Sequence, residues 1–165
     1  MRLTLVRHGN AEWKDPKMDD FQRPLNKRGL KEADSIGRRM LELDWIPDLM
    51  LASNAERTRA TADIIAKILT PKRVQYEERL YLAPVGDILN VIRETGPLVT
   101  HLMLIGHNPG ISETAQLLAP NEISELSTAC ACSIVFKMKS WSDVTTGTAI
   151  ESSFEAPSVL AKLWA

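Results

Sequence analysis

Three short strand-like runs punctuate this chain, and each stops abruptly at a polar set. Leu3-Thr4-Leu5-Val6 runs into Arg7-His8-Gly9. Leu49-Met50-Leu51-Ala52 runs into Ser53, with Arg57 one turn on. Leu102-Met103-Leu104-Ile105 runs into Gly106-His107. Runs of four apolar residues bounded by breakers read as buried strands. The stretches between them carry helical periodicity. From Asn26 to Leu43, residues Leu30, Ala33, Gly37, Met40 and Leu41 fall on one face, with Asn26 as the predicted N-cap. Ser53 and Glu56 have the spacing of a capping box for a second helix, which turns Ala62, Ile65, Ile68 and Leu69 inward and ends at Pro71. A short strand is expected at Val74-Gln75-Tyr76-Glu77. Ile88, Leu89 and Ile92 mark a third helix before Gly96-Pro97. A fourth follows Gly106-His107-Asn108-Pro109-Gly110, with Asn108 or Ser112 as its cap.

The remainder reads differently. From Thr128 to Lys139 the chain alternates, placing Cys130, Cys132, Ile134, Phe136 and Met138 on one face of a long half-buried strand. Thr145-Thr146-Gly147 turns it back into a returning strand over Thr148 to Phe154, and a short helix is expected after Pro157. Strands alternating with helices and then a hairpin predict an α/β fold: a three-layer α/β/α sandwich with a mostly parallel central sheet. No linker or repeat interrupts it, so residues 1–165 are expected to form a single domain.

In such a sheet the carboxyl ends of the strands share one edge, where ligands bind. His8 and His107, with Arg7 and Arg57, are thus predicted to converge. Arg57 would sit in the first turn of the second helix. A cation there opposes the helix dipole at about 0.3–1 kcal/mol, a cost offset if guanidinium and free backbone N–H groups share a bound anion. Gly9 would let the backbone approach a ligand closely. The whole chain carries a net charge of only −1, so the anion site must be local. The absence of a basic excess argues against nucleic acid. Charge interrupts the N-terminal run at Arg7, unlike a signal peptide, and no segment has membrane-spanning length, so no membrane partner and a cytoplasmic location are expected. Cys130 and Cys132 lie one residue apart, a spacing that suits neither a redox pair nor a zinc knuckle, and are read as buried thiols.

A metal is not expected. The chain has three histidines. His101 and His107 bracket one strand and would lie roughly 20 Å apart, which makes His101 a surface residue in this reading. Arg7 would repel a cation beside His8. Two imidazoles with several guanidinium groups suit a phosphoryl group instead. Neutral imidazole attacks phosphorus, while arginine forks align and neutralise the oxygens and keep the imidazole neutral. There is no phosphate-binding P-loop and no dinucleotide fingerprint, so no cofactor is expected.

Leu5-Val6-Arg7-His8-Gly9 resembles the strand-and-Arg-His-Gly motif of the histidine phosphatase superfamily, the phosphoglycerate-mutase-like proteins. Arg23-Pro24-Leu25-Asn26-x-x-Gly29 is similar to its Arg-Pro-Leu-Thr-x-x-Gly segment. Ser53 to Ala62 resembles its Ser-x-x-x-Arg-x-x-x-Thr-Ala element, and Ile105-Gly106-His107-Asn108-Pro109 its second histidine motif. The resemblance implies a phosphoglycerate-mutase-like fold and a metal-independent hydrolase. His8 would be the nucleophile that becomes phosphorylated. Arg7, Arg57 and His107 would bind the phosphoryl oxygens, with Arg23 reaching the same phosphate from the loop and Gly9 and Asn108 beside it. The family's usual acid is matched best by Glu78, with Glu77 as the neighbouring alternative.

The short length and Pro84-Val85-Gly86-Asp87 resemble the SixA-type phosphohistidine phosphatases. There is little room for a substrate-capping insertion. The charged loop from Asn10 to Phe21 is the main chance of one. An open site implies a phosphohistidine-bearing protein as partner. A small phosphate ester is the alternative substrate, and a non-catalytic module that reads phosphorylated partners is the third reading. That last reading leaves His8 without a purpose.

Overall fold

The three strand-like runs become β1 (Arg2–Arg7), β2 (Leu49–Ala52) and β4 (His101–Gly106), which lie side by side in a six-stranded sheet. The computed structural model describes residues 1–13, 15 and 17–158. The sheet is completed by β3 (Arg73–Tyr76), β5 (Ala131–Phe136) and β6 (Ala149–Glu155), in the order β3-β2-β4-β1-β5-β6. The pairs β3–β2, β2–β4 and β4–β1 are parallel. β5 runs antiparallel to β1 and to β6. Parallel neighbours need long crossovers, supplied here by α1 (Lys27–Glu42), α2 (Glu56–Leu69) and α3 (Val85–Arg93), while α4 (Gly110–Leu118) leads on to β5.

The helices form the two outer layers. Ile36 and Met40 of α1, with Ala62, Ile65 and Leu69 of α2, pack on Val6, Met50, Met103 and Ile105. On the other face, Ile88 and Ile92 of α3, with Ile111 and Ala115 of α4, cover Leu3, Leu5, Leu102 and Leu104. All six residues of β4 are buried. Burial on both faces explains why these strands read as continuous apolar runs. The expected three-layer α/β fold is therefore observed. The register pairs Val6 with Ile105 and Ala52 with Ile105, so His8, Ser53 and His107 leave the sheet at one edge.

Several local expectations need correction. In α1 the buried residues are Gly29, Glu32, Ala33, Ile36, Gly37 and Met40, whereas Leu30 and Leu41 are exposed. The helix is turned so that Glu32 reaches inward, accepting the Asn10 backbone N–H at 2.9 Å and Arg28 Nε at 2.6 Å. Asn26 does cap it, its side chain accepting the Gly29 N–H. α2 begins after Ala55 and has no side-chain cap, so the Ser53–Glu56 capping box does not form. α4 likewise starts at Pro109, not at an Asn108 or Ser112 cap. β5 is shorter than expected and almost wholly buried, since α1 and α2 cover the face assumed to meet solvent. Cys130 and Cys132 are buried free thiols. His101 is buried, not superficial: Thr4 Oγ1 lies 2.9 Å from its Nε2 and the Ile46 carbonyl 3.1 Å from its Nδ1. β4 is flanked by β1 and β2, so even its first residue is enclosed. The expected C-terminal helix falls on residues 159–165, outside the described residues.

Gly29 holds the start of α1 against the loop that follows β1. A Cβ built there would stand 2.1 Å from the Asn10 carbonyl oxygen, a backbone atom that cannot turn aside. Gly29→Ala is therefore expected to destabilise the fold by about 2 kcal/mol or more and to displace the segment carrying His8. Urea unfolding with a parallel activity assay checks both. A variant of unchanged midpoint would contradict the tight approach.

Candidate active site

The edge where β1, β2 and β4 end is built around Arg57. Its Nε donates to His8 Nε2 at 3.2 Å, and its Nη2 lies 3.1 Å from His107 Nδ1. The imidazole centroids are 5.1 Å apart. Proton positions follow from the other ring nitrogens. His8 Nδ1 donates to the Gly9 carbonyl at 2.8 Å, which leaves the lone pair on Nε2 facing the site. His107 Nε2 donates to Ser53 Oγ at 2.8 Å, with Thr58 Oγ1 at 3.2 Å, so its Nδ1 accepts from Arg57.

The Ser53 element explains itself in this arrangement. Freed from capping, Ser53 orients His107 and also accepts the Ala55 N–H. Thr61 Oγ1 donates to the Arg57 carbonyl at 2.7 Å and accepts the Gly9 N–H at 3.0 Å, tying α2 to the loop after His8. Gly9 itself faces the backbone of Gly29, where a Cβ would come within 2.7 Å of a carbonyl oxygen. Its smallness serves that packing, and its backbone fixes the His8 tautomer.

Burial and charge keep both rings neutral. His8 is lowered to about 4, first by burial, with the Gly9 carbonyl opposing and Arg57, Arg7 and Arg23 adding to the shift. His107 is lowered to about 3 by burial, His8 and Arg57. A neutral His8 is nucleophilic without deprotonation at pH 7.

A cavity of about 250 Å³ opens here, lined by Arg7, His8, Arg23, Arg57, His107 and Asn108 together with Asp20 and Trp13. Arg7 Nη1 is held by the Leu126 carbonyl, while its Nε is buried without a hydrogen-bond partner. A buried orphan donor is costly, and an anion would satisfy it. Arg23 is placed by the Glu12 carbonyl and lies under the exposed Trp13 ring at 3.4 Å. Asn108 lines the wall, donating to the Leu126 carbonyl and accepting from Ser112 Oγ. Among the described residues no three His, Cys, Asp or Glu side chains are clustered as a metal ion would need. No helix among them is long and apolar enough to cross a membrane.

Glu78 does not join this group. It is exposed on the short turn Glu78–Leu80 and does not line the cavity. Its neighbour Glu77 is paired with Arg79. The carboxylate found in the cavity is Asp20, from the loop before Arg23. It contacts Arg57 Nη2 at 2.9 Å, Arg23 Nη1 at 2.9 Å and the Tyr81 hydroxyl at 2.8 Å. The Tyr81 ring also stands edge-on to His107. Neither Asp20 nor Tyr81 is marked in the sequence. The nearest signal is that Asp20 precedes Arg23 by three residues, a spacing at which the two can pair.

Known proteins are similar to this chain in sequence and in fold. The sequence profile of the histidine phosphatase superfamily (branch 1) matches residues 3–88. An uncharacterized chloroplastic protein of Arabidopsis thaliana is 30% identical over 152 residues, covering 86% of this chain and 69% of that protein. A candidate phosphohistidine phosphatase, SixA from Agrobacterium tumefaciens, superposes with a TM-score of 0.79 at 27% identity, covering 94% of this chain and 97% of that one. A mycobacterial glucosyl-3-phosphoglycerate phosphatase shares the fold at 14% identity and a TM-score of 0.66, with the same coverage of both chains. The chain belongs to branch 1 of the histidine phosphatase superfamily, on the side of its SixA-type members.

Proposed function

We propose that this chain, acting as one domain, removes phosphate from phosphohistidine on proteins through a phosphorylated His8. The observation that carries the substrate assignment is the absence, among the described residues, of any carboxyl group lining the cavity that is poised to give up a proton. Burial pushes Asp20 upward, but hydrogen bonds from Tyr81, Arg23 and Arg57 outweigh it and hold the carboxyl at about 2. It is a carboxylate at pH 7. An alkoxide leaving from an ester needs a proton donor, whereas a ring-protonated phosphohistidine leaves as neutral imidazole.

Each remaining group has a part in this reaction. His8 Nε2 attacks phosphorus once the bound phosphoryl group displaces the hydrogen bond it accepts from Arg57 Nε. Arg7 through its unpaired Nε, and Arg57 and Arg23 through the N–H groups that Asp20 does not hold, take the phosphoryl oxygens and spread the charge of the transition state. His107 holds Arg57 from the opposite side and adds a wall of fixed polarity. The cavity is small and lies at the surface, which suits a side chain presented by another protein.

The test is the ratio of kcat/KM on a histidine-phosphorylated carrier protein to that on an aryl phosphomonoester, without added metal. The carrier protein is expected to win by at least about a hundredfold. A higher rate on the monoester would move the function to small phosphate esters and overturn the phosphohistidine assignment.

A further inference from the structure

Among the described residues, Asp20 is the one carboxylate lining the cavity, and the phosphoryl-transfer scheme does not use it. We infer that Asp20 selects the leaving group: its carboxylate accepts the ring N–H of a protonated phosphohistidine and disfavours phosphate esters. This inference rests on the function proposed above.

The geometry makes Asp20 a fixed feature of the site. It opens the short 3-10 turn Asp20–Gln22, whose Phe21 ring packs edge-on against Tyr81 at 5.1 Å. Its backbone carbonyl accepts from Arg57 Nη1, so main chain and side chain grip the same guanidinium. Oδ2 receives Arg57 and Tyr81. Oδ1 receives Arg23. A carboxylate offers about four acceptor positions, and three are taken. The one left is on Oδ1, and 42% of the side chain remains exposed. An acceptor thus stands ready at the rim of the cavity that His8 also lines.

The two substrate classes meet this acceptor differently. A phosphohistidine protonated on its second ring nitrogen carries an N–H and a positive charge. The carboxylate takes that hydrogen bond and favours the cationic form. His8 Nε2 then forms a bond to phosphorus as the substrate's P–N bond breaks. The P–N electron pair returns to the substrate ring, which leaves as neutral imidazole with its N–H intact. Water afterwards adds its oxygen to phosphorus, the second P–N pair returns to His8, and both protons of the water leave with the phosphate. A phosphate ester offers no N–H to Asp20, receives no proton from it, and lacks the ring cation that offsets the carboxylate's negative charge.

Asp20→Asn, Asp20→Ala and Asp20→Glu, each assayed on the phosphorylated carrier protein and on the aryl phosphate, test this. In Asp20→Asn and Asp20→Ala the ratio of kcat/KM values is expected to fall at least tenfold, the carrier rate dropping while the aryl rate rises. Asp20→Glu is expected to recover part of the ratio. Equal changes on both substrates would mean that Asp20 merely props Arg57, and would overturn the inference, as would an unchanged ratio. The two readings fail separately. If the wild type prefers the carrier protein but the variants keep the ratio, only the role of Asp20 falls. If the wild type prefers the aryl ester, the function and the role of Asp20 fall together.

Discussion

His8→Ala is expected to abolish turnover of both substrate classes, with kcat falling roughly 10⁴- to 10⁶-fold, the scale seen when a covalent nucleophile is removed. The fold should survive. His8 lies at the end of β1, and its ring makes its backbone contact only to the adjacent Gly9 carbonyl. Residual binding of inorganic phosphate should persist, because Arg7, Arg23 and Arg57 remain. The same account fixes the pH dependence. The reactive form is neutral imidazole, and His8 is held at about 4. Activity tied to His8 should therefore stay level as pH falls from 7 to 5 and be lost as pH falls through about 4. An ordinary histidine would cost activity near 6.5. The measurement is kcat/KM against pH on the aryl phosphate, corrected for the ionisation of the ester itself. A loss centred near 6.5 would show that His8 titrates as a solvated residue.

Arg57→Ala comes second in size. One guanidinium touches His8, His107 and Asp20 at once. Its removal takes a phosphoryl ligand and the packing of the nucleophile together. A loss of about 10³-fold or more in kcat is expected. Arg57→Lys should recover little, because a compact ammonium lacks the planar fork that reaches His8, His107 and Asp20 at once. Steady-state kinetics on both variants, with thermal unfolding as the control for folding, decides it. A lysine variant close to wild type would reduce Arg57 to a simple counter-charge.

The parts of this fold that could be read in the sequence are those set by burial alone. β1, β2 and β4 are covered on both faces, so their sequences are apolar throughout and their ends are sharp. Because these ends coincide in register, the sequence also brings His8, Arg57 and His107 to one edge. What escaped was decided by partners distant in the chain. The orientation of α1 depends on a buried carboxylate, Glu32, meeting the Asn10 backbone, and a helical wheel assigns such a residue to solvent. His101 is enclosed by Thr4 and Ile46, contacts that its strand position does not reveal.

Ser53 has the spacing of a helix cap, yet its hydroxyl is engaged by His107. Local propensity lost to a bond across the site. Asp20 sits in a loop with Asp15 and Asp19, and only the folded chain shows which carboxylate meets the arginines. Glu78 shows the opposite failure. It has the expected type and approximate position, but the short turn that carries it leaves it outside the cavity.

The central claim is a phosphoryl group carried by His8 Nε2. Rapid quenching of the enzyme during turnover of a phosphohistidine protein, followed by peptide mass analysis under alkaline conditions, measures it directly. The account predicts one phosphoryl group on the peptide containing His8, stable to base and labile to acid, and absent from His8→Ala. Phosphate found on another residue, or turnover with no phosphoenzyme formed at a competent rate, would contradict it.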